Sequence, residues 1–342
     1  MAKRFPFSPF PTGWFCVAFS HELRAGELQS RTLFGHEVVL YRASDGAPVM
    51  LDAYCPHMGA HLGRGGTLDG DCVRCPMHGF RFDGAGACVS TPYGTKVPPA
   101  ARVRSWPMRE SHGLVLAFHD AHDGAGEPTA PAWEVPDLDT DGWTPFRGVR
   151  WTLRSHPQET SENSVDFGHF AEVHRYSQPR LLAGPDVDGP HLTARYSFVR
   201  QPGALRFLAR RLEVEFEARV HGLGYSLVCA RVPALGVQMR NLVLPTPTDG
   251  EHIDLRVALS IGPPEGRMSA LPKPVWSAAA RALARLAFRE FTADVRQDFA
   301  IWENKVYVER PPLAKGDGPI AIYRRWCRQF YPDGRRLAMV AE

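Results

Sequence analysis

Two short boxes that each pair a cysteine with a histidine stand close together in CPHMGAHLGRGGTLDGDCVRCPMHGF, residues 55–80. The first box has the form Cys-x-His and the second the form Cys-x2-His, with seventeen residues between them. Thiolates and imidazoles are metal ligands, and the glycine-rich stretch between the boxes is typical of a loop. The pattern therefore predicts a metal site on two loop tips, with the candidate ligands Cys55, His57, Cys75 and His78.

Two kinds of metal centre use two thiolates and two imidazoles. A structural zinc holds them as a tetrahedron, whereas a two-iron, two-sulfide cluster holds the cysteines on one iron and the histidines on the other. Zinc sites usually pair like with like within a box, but each box here contributes one cysteine and one histidine. The mixed boxes favour the cluster, because each loop can then supply one ligand to each iron. A zinc ribbon is the alternative that the residues leave open.

The bulk composition is that of a soluble globular protein. The length of 342 residues suggests two domains of ordinary size, with 44% apolar and 23% charged residues. A net charge of +3 is too small to indicate a nucleic-acid partner. The N-terminus lacks the apolar core of a signal peptide, and no apolar run reaches the roughly 18 residues that span a bilayer. We therefore expect a cytoplasmic protein with no membrane span and no nucleic-acid partner.

The first part of the chain is expected to form a small all-β domain. Asp-Gly dipeptides of the hairpin type separate its short β-like runs, which are 13–19, 37–43, 48–54 and 113–119. Residues 120–133 are rich in Gly, Pro and Ala, the composition of a linker. We place a first domain at residues 1–125 and a second at residues 126–342.

The second part combines long strand-like runs with a long helical pattern. The strand-like runs are 191–200, 212–220, 225–232, 238–244 and 252–261. Residues 159–177 are predicted to be helical, and apolar residues at three- and four-residue spacing predict a long helix over 273–308. An antiparallel sheet that wraps one long C-terminal helix is an α+β arrangement that forms a pocket.

A second set of candidate ligands lies on these predicted helices. His169 and His174 are separated by four residues, so on a regular helix their side chains point about 140° apart. They can share a metal only if the helix is distorted or ends between them. Asp298 occupies the apolar stripe of the long helix, where a lone buried carboxylate is costly unless it is paired or binds a metal. Asp294, one turn earlier on nearly the same face, is the rival carboxylate.

Two histidines and one carboxylate form the facial triad of non-haem ferrous oxygenases, which leaves coordination positions open. Ordinary surface histidines and a surface acid are the alternative that these residues leave open when they are taken alone.

Several segments resemble one known family. CPHMGAHL and CPMHGF resemble the two boxes of a Rieske iron–sulfur domain, and NSVDFGHFAEVH and QDFAIWENK resemble the histidine and carboxylate segments of Rieske non-haem iron oxygenases. RFPFSPFPTGWFCVAF, PYGTKVPP and GPIAIYRRWCRQFY resemble the oxygenase component of 3-ketosteroid 9α-hydroxylase, which is related to the Rieske cholesterol 7-desaturases. The resemblance implies an all-β Rieske domain followed by an α+β catalytic domain with a helix-grip, START-like fold.

The resemblance also assigns roles to the candidate ligands. It implies a [2Fe-2S] cluster on the two boxes and Fe(II) on His169, His174 and Asp298. It implies further that Asp166 links the cluster of one subunit to the iron of its neighbour, which requires a head-to-tail ring, and this family is commonly trimeric. An ordinary ion pair between Asp166 and His169 on one helix face is the alternative.

The boxes depart from those of respiratory Rieske proteins at three positions. Those proteins carry an extra cysteine in each box, joined as a disulfide, and a serine that hydrogen-bonds the cluster; here the positions are Ala60, Met77 and Phe80. Fewer hydrogen bonds to the cluster sulfurs mean a lower reduction potential, which suits electron supply for oxygen activation. Cys72 and Cys88 are expected to be free thiols.

The implied activity is that of a terminal oxygenase. It would use O2 to hydroxylate or desaturate a bulky, hydrophobic, ring-containing substrate, with a steroid-like compound favoured. Phe198, Phe207, Phe216 and Leu244 either line its cavity or belong to the core. A tailoring oxygenase on another natural product, a non-catalytic electron-transfer or ligand-binding protein, and a zinc-stapled binding module are the alternatives.

The electrons are expected to come from another protein. The chain shows neither a G-x-G-x-x-G fingerprint after a strand nor a plant-type ferredoxin motif, so a separate reductase, with or without a ferredoxin, would pass on electrons from NAD(P)H. A cluster of arginines near the C-terminus would either dock this reductase or simply be solvated: Arg324, Arg325, Arg328, Arg335 and Arg336.

Overall fold

The computed structural model describes residues 4–122, 130–200 and 212–332. An all-β part comes first, and a part with a large sheet and a long helix follows, as the sequence predicts. The strands of the first part are β1 (Gly13–Phe19), β2 (Gln29–Leu33), β3 (His36–Arg42), β4 (Pro48–Asp52), β5 (Thr67–Asp69), β6 (Cys72–Arg74), β7 (Arg81–Phe82), β8 (Cys88–Ser90), β9 (Met108–Ser111) and β10 (Leu114–His119).

Small antiparallel sheets build the first part, in the orders β1-β10-β9, β2-β3-β4 and β5-β6-β7-β8. β1 is buried along its whole length. Trp14 and Cys16 pack toward the second part of the chain, while Phe15 and Val17 pack toward β3. Because both faces of β1 are covered, its sequence is a continuous apolar run rather than an alternating one. The two boxes lie on the β4–β5 and β6–β7 connections.

The second part is built on a seven-stranded antiparallel sheet within the described residues, in the order β11-β17-β16-β15-β14-β13-β12. Its strands are β11 (Arg147–Leu153), β12 (Ser177–Asp188), β13 (His191–Arg200), β14 (Leu212–His221), β15 (Tyr225–Val232), β16 (Val237–Pro247) and β17 (Ile253–Ile261). β11 and β12 are missing from the sequence prediction. β12 contains two prolines and shows no clear alternation. β11 does alternate, at Val149, Trp151 and Leu153, but it pairs with β17, which lies far along the chain.

The helices are shorter than the sequence pattern predicts. They are α1 (Pro157–Ser161), α2 (His169–Glu172), α3 (Lys273–Gln297), α4 (Phe299–Asn304) and α5 (Ile320–Cys327). The prediction of one helix over 159–177 is wrong: a 3₁₀ turn at Glu162–Ser164 follows α1, and the chain after α2 turns into β12. The prediction of a helix over 273–308 is correct as far as Asn304, with a junction at Asp298, and residue 305 is extended.

α3 packs across the sheet. Ala280 and Ala284 contact Leu259 and Ile261 near the N-terminal half of the helix, and their small side chains let the helix approach the strands closely. The C-terminal half packs through Val295 against β17. The result is the α+β arrangement of a sheet around one long helix that the sequence predicts. None of the helices in the described residues combines the length and the apolar character that crossing a bilayer requires.

α1 begins at a buried histidine that the fold holds in its neutral form. His156 Nδ1 accepts the Gln158 backbone N–H at 3.0 Å, so Nε2 carries the proton and donates to the Ser8 carbonyl at 3.1 Å. Burial lowers the pKa of His156 to about 3. Because the folded pKa lies below the unfolded value, the stability linked to neutral His156 is present above about pH 6.5 and is lost as the pH falls toward 3.

We therefore expect the urea midpoint of unfolding to fall between pH 6.5 and 4, and to fall less steeply in His156→Asn. Asparagine keeps a cap for Gln158 but does not titrate, and each unit of pKa difference corresponds to about 1.4 kcal/mol. Circular dichroism at several pH values measures the two slopes. His119, whose pKa burial lowers to about 4, contributes equally to both proteins. Identical slopes would show that His156 is not the titrating group.

Candidate metal centres

The two boxes fold into loops of the same shape. The Cys55 N–H donates to the carbonyl of Ala60, five residues on, at 2.9 Å, and Cys75 makes the same bond to Phe80 at 2.8 Å. Each loop turns at the glycine in its fifth position, with φ of 74° and 67°. This left-handed conformation favours glycine. The two loops therefore present their side chains from matching backbones.

Like ligands come together in space although each box is mixed. Cys55 and Cys75 are buried and their thiols are in hydrogen-bond contact, and burial raises the pKa of Cys55 to about 11. The rings of His57 and His78 lie 4.6 Å apart on the outer side, where His57 is exposed. An inner thiol pair and an outer imidazole pair are what a two-iron cluster requires, since one iron takes both cysteines and the other both histidines. The donor set fits that cluster.

Two of the three positions that depart from the respiratory pattern lie in different surroundings. Phe80 is buried and stacks on His57 with ring centroids 4.5 Å apart and planes at 7°. Met77 is exposed, and a methionine cannot form the disulfide that joins the two boxes of respiratory Rieske proteins. Cys72 and Cys88 are free thiols, as expected.

A second group of ligands is formed by His169, His174 and Asp298. Their candidate ligand atoms all lie within 4.8 Å of one another. α2 ends at Glu172, and Arg175 adopts a left-handed φ of 57°, so the chain turns between and after the two histidines. This meets the condition that the sequence sets for both histidines to reach one metal. Asp298 reaches the same point because it stands at the junction of α3 and α4.

The electrostatics of this group suit a divalent cation. Only 8% of the His174 side chain and 7% of the Asp298 side chain are exposed. Burial lowers the pKa of His174 to about 4 and raises that of Asp298 to about 7. Burial thus disfavours the protonated imidazole of His174 and the ionised carboxylate of Asp298. A bound cation would compensate the negative charge of that carboxylate. Two imidazoles and one carboxylate are a donor set that Fe(II) accepts.

Neighbouring amides orient these ligands. His174 Nδ1–H donates to Gln297 Oε1 at 3.3 Å, which leaves the Nε2 lone pair directed toward Asp298 Oδ2, 3.6 Å away. The amide of Asn163 hydrogen-bonds the Asp298 carboxylate. Such partners commonly fix the orientation of metal ligands. Neither residue is among those predicted from the sequence. Their only signal there is their position: Gln297 directly precedes Asp298, and Asn163 lies three residues before Asp166.

The rival carboxylate has other partners. Asp294 accepts a hydrogen bond from the Tyr176 hydroxyl at 2.7 Å and pairs with Arg200 Nη2 at 2.7 Å. Its Oδ2 is therefore already engaged on the cavity wall, whereas Asp298 faces the two histidines.

Asp166 lies directly behind one of the histidines. Its Oδ1 accepts the His169 backbone N–H at 3.2 Å and stands 3.6 Å from His169 Nδ1, which has no hydrogen-bond partner among the described residues. Burial alone would raise the pKa of Asp166, but the hydrogen bond from the His169 backbone N–H and the nearby imidazole lower it overall. One third of the Asp166 side chain is exposed, so the carboxylate connects the buried imidazole with the surface.

The ligand group opens on an apolar cavity of about 310 Å³ between α3 and the sheet. Phe198 and Phe216 line this cavity, whereas Leu244 belongs to the core on the other side of the sheet. Phe207 lies outside the described residues. On β16 the inward positions are the alternating residues Val237, Met239, Asn241 and Val243.

Two family models match the chain. The Rieske [2Fe-2S] domain matches residues 13–107, and the 3-ketosteroid 9alpha-hydroxylase C-terminal domain matches residues 117–331. The second match covers more than half of the chain.

Curated relatives match over nearly the full length. Cholesterol 7-desaturase nvd 1 of Ciona intestinalis is 31% identical, covering 97% of this chain and 71% of the relative. The oxygenase component of 3-ketosteroid-9-alpha-monooxygenase of Rhodococcus rhodochrous is 30% identical, covering 95% of this chain and 83% of the relative.

Among solved structures, dicamba monooxygenase bound to 3,6-dichlorosalicylic acid superposes with a TM-score of 0.66 at 21% identity, over 95% of this chain and 98% of that one. At this identity the likeness establishes the fold. The family models and the relatives go further: the chain belongs to the Rieske oxygenases, as a terminal oxygenase component of the family that includes the 3-ketosteroid 9α-monooxygenases and the cholesterol 7-desaturases.

Proposed function

We propose that this oxygenase hydroxylates or desaturates a steroid-like substrate, with Fe(II) on His169, His174 and Asp298 and a [2Fe-2S] cluster on the two boxes. The observation that carries the proposal is the convergence of three ligand atoms within 4.8 Å on the wall of an apolar cavity. The steroid-like class is supported by the relatives that match nearly the whole of this chain, a cholesterol 7-desaturase and a 3-ketosteroid-9-alpha-monooxygenase component.

The cavity supports a bulky apolar substrate. Its volume lies at the lower end of the range of about 300–1,000 Å³ for small-molecule sites, and its sheet wall is mostly apolar. Asn241 interrupts that wall, and its Oδ1 is buried without a hydrogen-bond partner in the described part of the chain. An unsatisfied buried acceptor is costly, so a substrate that brings one donor to this position is favoured.

The residues of the chain divide the work. When bound, the iron supplies O2 activation with electrons delivered through the cluster. The apolar side chains of β14, β15 and β16 exclude water and hold the substrate ring system against α3. Gln297 and Asn163 keep His174 and Asp298 in their ligating orientation. Asp166 holds His169 from behind and connects it with the surface.

We infer a head-to-tail homotrimer, in which the cluster of one subunit docks beside Asp166 of the next. Two surfaces support it. Around the boxes, Met58 and Met77 are 64% and 54% exposed. After Lys305, which contacts Glu162 in the segment before Asp166, Val306 and Val308 are 62% and 50% exposed. Exposed apolar side chains at both places are typical of an interface.

The electron source is proposed to be a separate reductase that oxidises NAD(P)H, with or without a ferredoxin. Arg324 is a poor docking group because its guanidinium is engaged with Glu162. Arg325 and Arg328 are exposed, and Arg335 and Arg336 lie outside the described residues. We retain residues 1–125 as the cluster domain and 126–342 as the catalytic domain.

Iron analysis and product mass test the function together. We expect about three irons per chain, red-brown absorption, and a substrate mass change of one added oxygen or two lost hydrogens with a surrogate reductase and a sterol or 3-ketosteroid. Two irons per chain would leave an electron-transfer protein, and a colourless zinc protein would leave a binding module. Turnover of other natural products but not of steroids would overturn the steroid-like assignment alone.

A further inference from the structure

Four charged side chains meet beneath the proposed iron site. Glu159 and Glu162 are buried, with 0% and 5% of their surface exposed. Lys305 Nζ lies 2.8 Å from Glu159 Oε2 and 3.5 Å from Glu162 Oε1. Arg324 Nε and Nη2 donate to the two oxygens of Glu162 at 2.6 and 3.0 Å. The network holds two positive and two negative charges, so it is neutral as a whole.

The members of this network come from three segments of the chain. Glu159 and Glu162 directly precede the turn that carries Asp166 and His169. Lys305 follows α4, the helix that begins immediately after Asp298. Arg324 belongs to α5, which is otherwise remote from both ligand segments in sequence. The network therefore joins the segment of the histidines to the segment of the carboxylate.

Backbone hydrogen bonds connect Glu162 with the segment that carries His169. The carbonyl of Glu162 accepts the N–H groups of Val165 and Asp166 at 3.0 and 3.1 Å. Asp166 in turn accepts the His169 backbone N–H at 3.2 Å. A displacement of Glu162 therefore moves the start of α2 and with it the first histidine.

Further hydrogen bonds support the same connection. The Tyr323 hydroxyl of α5 donates to the Gln158 carbonyl at 2.7 Å, and the Tyr331 hydroxyl donates to Gln158 Oε1 at 2.9 Å. Arg4 Nε donates to the Lys305 carbonyl at 2.7 Å. The C-terminal segment thus clamps α1 while the N-terminal segment clamps the end of α4.

We propose that Arg324 and Lys305 are positioning residues that fix the spacing between the histidine segment and the carboxylate segment of the mononuclear iron site. The inference rests on the proposed iron site, and it gives the C-terminal helix a role within the subunit. A bidentate guanidinium is suited to this task, because two parallel hydrogen bonds fix orientation as well as distance.

The test compares two arginines of one helix. Arg324→Gln breaks the network, whereas Arg325→Gln changes an exposed neighbour and serves as the matched control. Each protein is stripped of mononuclear iron with its cluster intact and titrated with Fe(II) alone. We expect Arg324→Gln to bind Fe(II) at least about tenfold more weakly, as for other partners that orient ligands, while Arg325→Gln binds as the wild type does. The cluster absorbance should be the same in all three.

Two further variants separate positioning from general stability. Arg324→Lys keeps the positive charge but not the two parallel hydrogen bonds to Glu162, so it should bind Fe(II) more tightly than Arg324→Gln does. Lys305→Met removes the contacts made from the segment that follows Asp298, and it should also weaken Fe(II) binding. Thermal midpoints are recorded for every variant. Lower midpoints with unchanged Fe(II) affinity would overturn the inference. A wild-type chain with no third iron would overturn the proposed function and this inference together, whereas a third iron that all variants bind equally would overturn the inference alone.

Discussion

Asp298→Ala should lose the mononuclear iron and nearly all product formation while its cluster absorbance stays unchanged. The variant removes the carboxylate whose oxygen lies together with the ligand atoms of His169 and His174, all within 4.8 Å of one another. Partners that merely orient a ligand affect metal affinity or activity by about 10–100-fold, so loss of the ligand itself should exceed about 100-fold. Iron per chain and turnover with a surrogate reductase measure the two effects.

The cluster should survive this change because it is built on separate loops. The two boxes lie between β4 and β7, and none of their residues lines the cavity that holds Asp298. The visible spectrum therefore serves as an internal control for folding. Loss of the cluster together with the iron would indicate misfolding, in which case Asp298→Asn, which keeps the side-chain volume, becomes the decisive variant.

Asp294→Asn is the matched control, one helical turn away on the same helix. Its amide oxygen can still accept from the Tyr176 hydroxyl, so the main loss is the ion pair with Arg200. We expect this variant to keep its iron, with changes confined to substrate binding at the cavity wall. Iron loss in Asp294→Asn with retention in Asp298→Ala would reverse the assignment of the two carboxylates.

Residue spacing in the sequence was sufficient to predict which candidate ligands come together in the structure. The spacing of the boxes brings the four candidate cluster ligands together, because each loop is closed by its own backbone bonds, as in Cys55 to Ala60. Asp298 was detectable because a carboxylate on an apolar helix stripe violates the hydrophobic pattern. The condition on His169 and His174, a helix that ends between them, follows from helix geometry and is met.

Features that depend on distant partners were beyond the sequence. Within the described residues β11 pairs only with β17, and the segment that follows α1 is anchored by the contacts of Glu162 with Lys305 and Arg324. The role of Asn241 needed the register of β16, which decides which alternate residues face α3. In the first two cases the deciding contact is with a residue far along the chain.

Asp166→Asn should retain both metal centres and lose coupled turnover. Asparagine still accepts the His169 backbone N–H but carries no charge, so the iron ligand stays in place while the connection toward the surface is altered. We expect product formation to fall by about 10–100-fold, while the reductase still reduces the cluster normally. Glu172→Gln, an exposed acid on α2, is the control that should behave as the wild type does.

A mixed assembly decides in which subunit Asp166 acts. Cys75→Ser chains keep the iron site and Asp298→Ala chains keep the cluster, so neither should turn over alone. In a head-to-tail ring, the two combined should recover part of the activity, because the cluster of one chain then serves the iron of its neighbour. Adding Asp166→Asn to the Cys75→Ser chain should abolish this recovery, since its Asp166 stands behind the working His169. The same change in the Asp298→Ala chain should have no effect, and an equal loss from either chain would exclude the proposed link.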